Sequence, residues 1–385
     1  MFTYKMPTEL FVGRGSSKQT GEKLKGLGGT RVILITDNGV LQAGILSGIE
    51  ESIKSAELPY VIFHEVEPEP TIQGVEAATR MLKEFSADIV LGIGGGSSMD
   101  TAKAVAAMAV NEGKIFDYVG FGLVKKQPLP IVAVPTTAGT GSEATFWSVL
   151  ADKTNDIKAS VGGWNIMPVL AIVDPELTLS LPPRVTAATG MDALCHAMES
   201  YVAKSTQPIS EGMSIRAMEM IARSLRRAVN RGDDIEARED MLVGSLVAAL
   251  AFNVTRLGLS HALAIPFGAH FHIPHGVINA ILLPWVMEYN LPAATEKYIT
   301  IAKIFGENVD GLAPCDGAKK AVDAVKKLLS DIGLTEGLKD WKVTEGDLEK
   351  IAKEGILSGN VAVNPRLAGV KDLVEISRRA LNGLK

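Results

Sequence analysis

Four of the six histidines in this 385-residue chain fall in LSHALAIPFGAHFHIPHG, residues 259–276: His261, His270, His272 and His275. Imidazole titrates near neutral pH and is the commonest metal-binding side chain, so such crowding suits proton transfer or metal ligation. Pro266 and Pro274 keep one regular helix from running through the stretch. His261 and His275, fourteen residues apart, are therefore expected on two segments that converge. A second constellation lies upstream in MDALCHAMES, residues 191–200. Asp192 and His196 are four apart on an expected helix, which puts both side chains on one face about one turn apart. Imidazole with carboxylate suits a divalent ion such as Fe2+ or Zn2+. Taken alone, such a pair is more often an ordinary Asp–His contact. A four-ligand site of Asp192, His196, His261 and His275 is chemically sensible, and the spacing leaves it open.

Two polar loops carry a different chemistry. GIGGGSSMDTAK (92–103) follows an apolar run and opens a helical pattern. Glycines let a ligand approach the backbone, and the first amides of a helix favour an anion. The stretch departs from the usual dinucleotide fingerprint, because Ser97 stands where G-x-G-x-x-G has its last glycine. A tight turn with Ser97 or Ser98 as helix cap is the alternative. PTTAGTGSEAT (135–145) is the second loop, with hydroxyls on Thr136, Thr137, Thr140 and Ser142. Two such loops after parallel strands fit a nucleotide crevice. Asp37 closes another apolar run; there a carboxylate can accept the ribose hydroxyls of NAD and disfavour the 2′-phosphate of NADP, or simply cap a helix.

The elements that must position these groups divide in two. RVILITD (31–37), PYVIFHE (59–65), ADIVLGIGGG (87–96), LPIVAVP (129–135) and PVLAIVD (168–174) read as buried strands. They alternate with helical patterns at 71–85 and 97–110, which implies a parallel, doubly wound α/β sheet. After LSLPPRVT (179–186) the strand signal stops, and helices are expected from there to the C-terminus. The expected organisation is an α/β nucleotide-binding domain over 1–183 and an all-α metal-binding and substrate domain over 184–385.

Composition narrows the function classes. With 46% hydrophobic and 22% charged residues the chain is globular, and a net charge of −5 argues against nucleic acid as a partner. The longest apolar run, roughly 241–252, is shorter than a bilayer span of about 20 residues, so no membrane is expected. Cys195 and Cys315 show no pairing pattern and fit a cytoplasmic protein.

Set together, GGGSSMDTAK, PTTAGTGSEAT, MDALCHAMESY and SHALA…IPHG, in this order and spacing, resemble the iron-containing (group III) alcohol dehydrogenase family. The resemblance covers nearly the whole chain. It implies a dehydroquinate-synthase-like fold and a metal held by Asp192, His196, His261 and His275. It also implies cofactor contacts at Gly95, Gly96, Ser97 and Asp100 (pyrophosphate), Thr136, Thr137 and Thr140 (ribose and nicotinamide), Lys158, and Asp37 as the acid favouring NAD. Trp147 and Phe252 match substrate-lining positions. The activity implied is metal-dependent, reversible hydride transfer between a small alcohol and NAD, in a homodimer or larger homo-oligomer. A polyol dehydrogenase or lactaldehyde reductase of the same family is the near alternative; a dehydroquinate-synthase-type lyase and a non-catalytic nucleotide-binding protein are the distant ones. One departure stands out: the family reads H-x-x-x-H at the third ligand, and this chain has His261 and Ile265. The histidine associated with proton handling is absent.

Overall fold

The structure, a computed structural model, describes residues 2–152 and 157–384. The chain forms two compact units: Lys5–Ser180, and the chain from Leu181 onward together with the segment ending at Tyr4.

The first unit contains β1 (Glu9–Val12), β2 (Val32–Ile35), β3 (Tyr60–Phe63), β4 (Ile89–Gly94), β5 (Gly120–Phe121), β6 (Ile131–Pro135), β7 (Trp147–Asp152), β8 (Ile157–Gly162) and β9 (Leu170–Val173). Its helices are α1 (Thr20–Gly26), α2 (Asn38–Gln42), α3 (Ser47–Ser55), α4 (Ile72–Phe85) and α5 (Gly96–Val110). Six strands form an all-parallel sheet in the order β1-β9-β6-β4-β2-β3. Alternation along β2 shows why the strands read as unbroken apolar runs. Val32 and Leu34 pack with Leu24, Ile49 and Ile53 on one face, while Ile33 and Ile35 pack with Val75, Leu82 and Val105 on the other. Both faces are covered by helices, so neither can be polar. Register matters more for function: Gly94, the last residue of β4, lies opposite Pro135, the last of β6. The two polar loops therefore leave the sheet side by side at the same edge.

Sequence reading placed five strands; β1 and a second sheet went unseen. That sheet runs β5-β8-β7, with β7 antiparallel to β8. Its strands carry Trp, Ser, Asp and Lys among their apolar residues, so they lack the continuous buried pattern that marks the main sheet.

The second unit holds α6 (Pro183–Val202), α7 (Pro208–Asn230), α8 (Ile235–Thr255), α9 (Leu259–Phe271), α10 (His275–Asn290), α11 (Thr295–Ile304), α12 (Pro314–Asp331), α13 (Leu348–Gly355), α14 (Gly359–Val363) and α15 (Val370–Ala380). Proline in the first turn opens α6, α7 and α12, where its missing N–H has no intrahelical partner to lose. Asp234 caps α8 by accepting the Ala237 amide at 3.1 Å. Leu263, Phe267, Ile278, Leu282, Ile351 and Leu373 form a core shared by α9, α10, α13 and α15. Every residue of α6 from Gly190 to Val202 is buried, including Asp192, His196 and Glu199. Polar side chains so placed need partners within the protein. Among the described residues no single helix is long and apolar enough to cross a membrane.

Candidate metal centre and cofactor loops

On α6 the residues Asp192, Cys195, His196 and Glu199 follow helical spacing and share one face. Against that face, α9 brings His261 and α10 brings His275 and Asn279. The approach of α10 requires glycine: a Cβ on Gly276 would lie 2.2 Å from the Ala188 carbonyl oxygen of α6. The chain turns between α9 and α10 at His272, which adopts the left-handed conformation (φ 53°) and ends α9.

Three imidazole nitrogens converge on one carboxylate oxygen. Asp192 Oδ1 lies 3.6 Å from His261 Nε2, 3.7 Å from His275 Nε2 and 3.9 Å from His196 Nε2. The ligand atoms of Asp192, His261 and His275 fall within 4.8 Å of one another. His196 stacks on His261 at 4.6 Å between ring centroids, and the Phe252 ring lies 4.5 Å from His196, centroid to centroid. Of the four, His275 alone is half-exposed. One carboxylate and three imidazoles aimed at a common point, three of the four groups buried, fit a divalent ion such as Fe2+ or Zn2+. His270 and His272 take no part. His270 pairs with Glu354 at 2.8 Å near the surface, and His272 is the turn residue just described. Ile265, one turn after His261 on α9, is 43% exposed.

Electrostatics follow from burial and crowding. Burial would raise the Asp192 carboxyl, but His196, His275 and His261 hold it far below its ordinary range. Burial pushes His196 down to about 4 against the attraction of Asp192. Burial also opposes charge on His261, yet its Cys195 and Glu199 neighbours hold it well above the ordinary histidine value. Cys195 is pushed up to about 12, first by burial and then by Glu199.

Two residues of this site escaped the sequence reading. Asn279, one turn after His275, points its Nδ2 at Asp192 Oδ1 (2.8 Å), with His261 Nε2 at 3.1 Å and His275 Nε2 at 3.2 Å. Glu199 lies 2.6 Å from His261 Nδ1. The i,i+4 spacing of His275 and Asn279 was a usable signal; nothing local marks Glu199 as a neighbour of His261.

In the α/β unit, α5 starts at Gly95 with no side-chain cap. Neither serine caps it: Ser97 Oγ donates to the Pro68 carbonyl at 2.5 Å and Ser98 Oγ to Asp37 Oδ2 at 3.2 Å. The first amides of α5 are thus left without a side-chain acceptor, as an anion site requires. Gly94, at φ 146°, makes the turn that a side chain would resist, and a Cβ there would meet Ser98 Oγ at 2.5 Å. The second loop presses close, since a Cβ on Gly96 would lie 2.9 Å from Thr140 Cγ2, while Gly95 faces Thr137. The Thr136 amide donates to the Gly94 carbonyl at 2.9 Å.

Asp100 and Lys103 join these loops. Asp100 Oδ1 accepts Ser142 Oγ at 2.6 Å, and its Oδ2 accepts the Val149 amide at 2.9 Å. Lys103 is fully buried and donates to Ser142 Oγ (2.6 Å), Thr145 Oγ1 (3.2 Å) and the Trp147 carbonyl (2.7 Å). Both Asp100 oxygens accept hydrogen bonds from the protein, so this residue links the start of α5 to the second loop and β7. Burial lowers Lys103 against the pull of Asp100 and Glu143, and burial pushes Glu143 up to about 7. Asp37 caps α2, accepting the Val40 amide at 3.0 Å, which is the alternative role its position allowed. Lys158 on β8 pairs with Glu69 at 2.5 Å. Trp147 packs with Phe121 and Phe146 at 5.8 and 5.5 Å between centroids, over Gly162.

Comparison with known proteins covers both units. Residues 7–175 match the iron-containing alcohol dehydrogenase family, and residues 186–381 match the C-terminal region of the Fe-containing alcohol dehydrogenase family. A 1,3-propanediol dehydrogenase from Citrobacter freundii is 40% identical over 99% of each chain. An NAD-dependent methanol dehydrogenase from Bacillus methanolicus is 39% identical over 99% of this chain and 100% of that one. The crystal structure of a 1,3-propanediol oxidoreductase superposes with a TM-score of 0.97 at 38% identity, covering 99% of this chain and 100% of the other.

Proposed function

We propose that this chain, which belongs to the iron-containing alcohol dehydrogenase family, transfers hydride reversibly between a short uncharged alcohol and NAD through a divalent ion held by Asp192, His196, His261 and His275. The observation that carries the ligand assignment is the convergence of three imidazoles on Asp192 Oδ1. When bound, the ion supplies a Lewis acid to the reacting oxygen and NAD supplies the hydride acceptor. The chain's own groups bind and orient. Asp192 offers the one negative charge of the ligand set, and its burial with His196 and His261 favours a cation over water at that point. Gly95, Gly96 and Ser97 present the uncapped amides of α5 to the pyrophosphate, and Thr136, Thr137 and Thr140 offer hydroxyls to ribose and nicotinamide. Lys158, held by Glu69, adds a positive charge for the cofactor.

Short primary alcohols are the favoured substrates, supported by two relatives, at 40% and 39% identity, that are named for propanediol and methanol. Phe252 beside His196 supports an apolar wall for them. Trp147, packed with Phe121 and Phe146, is the second residue proposed to meet substrate. Asp37 supports NAD over NADP: a 2′-phosphate would meet a carboxylate at the end of β2. The metal is Fe2+ or Zn2+, and the chain works in the cytoplasm as a homodimer or larger homo-oligomer, which light scattering of the purified protein tests.

Metal analysis combined with an NAD-linked screen over alcohols and aldehydes decides the proposal. Chelation should abolish turnover and Fe2+ or Zn2+ should restore it; full activity in metal-free protein refutes the ligand assignment. Comparable or better kinetics with NADP would refute the role of Asp37.

A further inference from the structure

Glu199 is 4% exposed and sits on the same face of α6 as the proposed ligands, but it meets Nδ1 of His261, whereas Asp192 lies nearest Nε2. Its Oε2 accepts the Gly258 amide at 2.7 Å and lies 2.6 Å from His261 Nδ1, and its Oε1 accepts the Ser260 amide at 2.7 Å. Gly258 is the N-cap residue of α9 and provides no side-chain cap of its own. A carboxylate from α6 thus satisfies the first amides of α9, where an anion is also favoured by the helix dipole. Glycine is needed at that cap, since a Cβ on Gly258 would lie 2.8 Å from Glu199 Oε1.

The same carboxylate reaches the third residue of α9, His261. An ionised carboxylate only accepts hydrogen bonds, so the proton in the 2.6 Å contact belongs to His261 Nδ1. His261 Nε2 then faces Asp192 and His275. This ring stands between two groups that could each hold an ion: Asp192, His261 and His275 on its Nε2 side, and Cys195, Glu199 and His261 on its Nδ1 side. Three N–H donors already fill the second group's carboxylate.

We infer that Glu199 is a positioning residue for the metal centre: it retains the Nδ1 proton of His261, presents Nε2 to the ion, and closes the Cys195 side to metal. The inference rests on the metal site proposed above. In Glu199→Gln one oxygen becomes an amide NH2, so one of the three donors faces another donor, and the ring loses its fixed orientation. Such outer partners of ligating histidines typically govern about 10–100-fold in metal affinity.

The test is chelator competition for Zn2+ on the full chain, with unfolding followed in parallel. The wild-type protein should bind one ion per chain; Glu199→Gln should bind it about 10–100-fold more weakly, with NAD affinity unchanged. Gly258→Ala, which presses on Glu199 without removing its charge, should show a smaller loss in the same direction, and it decides the matter if Glu199→Gln fails to fold. Nitrogen-15 NMR of histidine-labelled, zinc-loaded wild-type protein should show His261 protonated at Nδ1 and coordinated through Nε2. Coordination through Nδ1, a second ion lost in Cys195→Ala, or wild-type zinc affinity in folded Glu199→Gln overturns the inference and leaves the metal site standing. A wild-type protein that binds no zinc overturns both.

Discussion

The candidate metal centre and the candidate cofactor loops are built from opposite materials. In the helical unit, side chains do the work: Asp192, His196, His261 and His275 come from three helices, and their distances depend on how those helices pack. In the α/β unit, backbone does it: Gly94, Gly95 and Gly96 shape a turn, the amides of α5 lie open, and a buried Lys103–Asp100 pair ties one loop to the other. A side-chain site fails when one functional group is removed. A backbone site tolerates many substitutions but fails where a Cβ intrudes or where the buried support is withdrawn.

The largest effect should come from the side-chain site. His261→Ala or Asp192→Ala should lower kcat by about 1,000-fold, the equivalent of several kcal/mol of Lewis-acid stabilisation, while NAD affinity stays unchanged. Steady-state kinetics with cofactor titration check this; equal loss of NAD binding would erase the contrast. Lys103→Met should act next, by stability rather than chemistry. It leaves Asp100, Ser142 and the Trp147 carbonyl without their buried donor, at about 2–4 kcal/mol in denaturant unfolding of the chain.

Glu143 sharpens the same support through pH. Burial raises it from 4.5 to about 7, so the folded state holds its proton more tightly than the unfolded chain. The stability it contributes is present below pH 4.5 and lost as pH rises through about 7, up to about 3 kcal/mol. Glu143→Gln lacks that loss, so its stability relative to wild type should climb across this window. A flat difference between the two unfolding profiles would refute the assignment. A smaller effect is expected from Gly96→Val: the new side chain meets Thr140, and KM for NAD should rise about tenfold with kcat nearly unchanged. The smallest is Ile265→His. Stability should move by less than about 0.5 kcal/mol at this exposed position, and any gain should appear as a changed pH profile of kcat/KM.

Much of the framework was legible in advance for local reasons. Five of the six strands of the main sheet announced themselves because both sheet faces are covered, which favours apolar residues along the strand. The end of the strand signal at 179–186 marked where the helical unit begins, and α6 starts there at Pro183. The i,i+4 spacing of Asp192 and His196 told which face of α6 mattered. The strands β1, β5, β7 and β8 were not legible, because they are short or mix polar and apolar residues. The role of Asp37 was open to two readings, ribose acceptor or helix cap, and its partners Val40 and Ser98 lie one turn along and on another element.

By itself the sequence determined which chemistry was possible: a carboxylate and histidines at helical spacing, glycines at a strand end, and an isoleucine where the family has a histidine. Those are properties of residue type and of short separations along the chain. Tertiary structure alone decided that Glu199, 62 residues before His261, sets that ring, and that Asn279 reaches Asp192 across 87 residues. Hydrogen bonds between buried groups depend on where whole helices come to rest, and that resting place is a property of the packed core rather than of any local pattern.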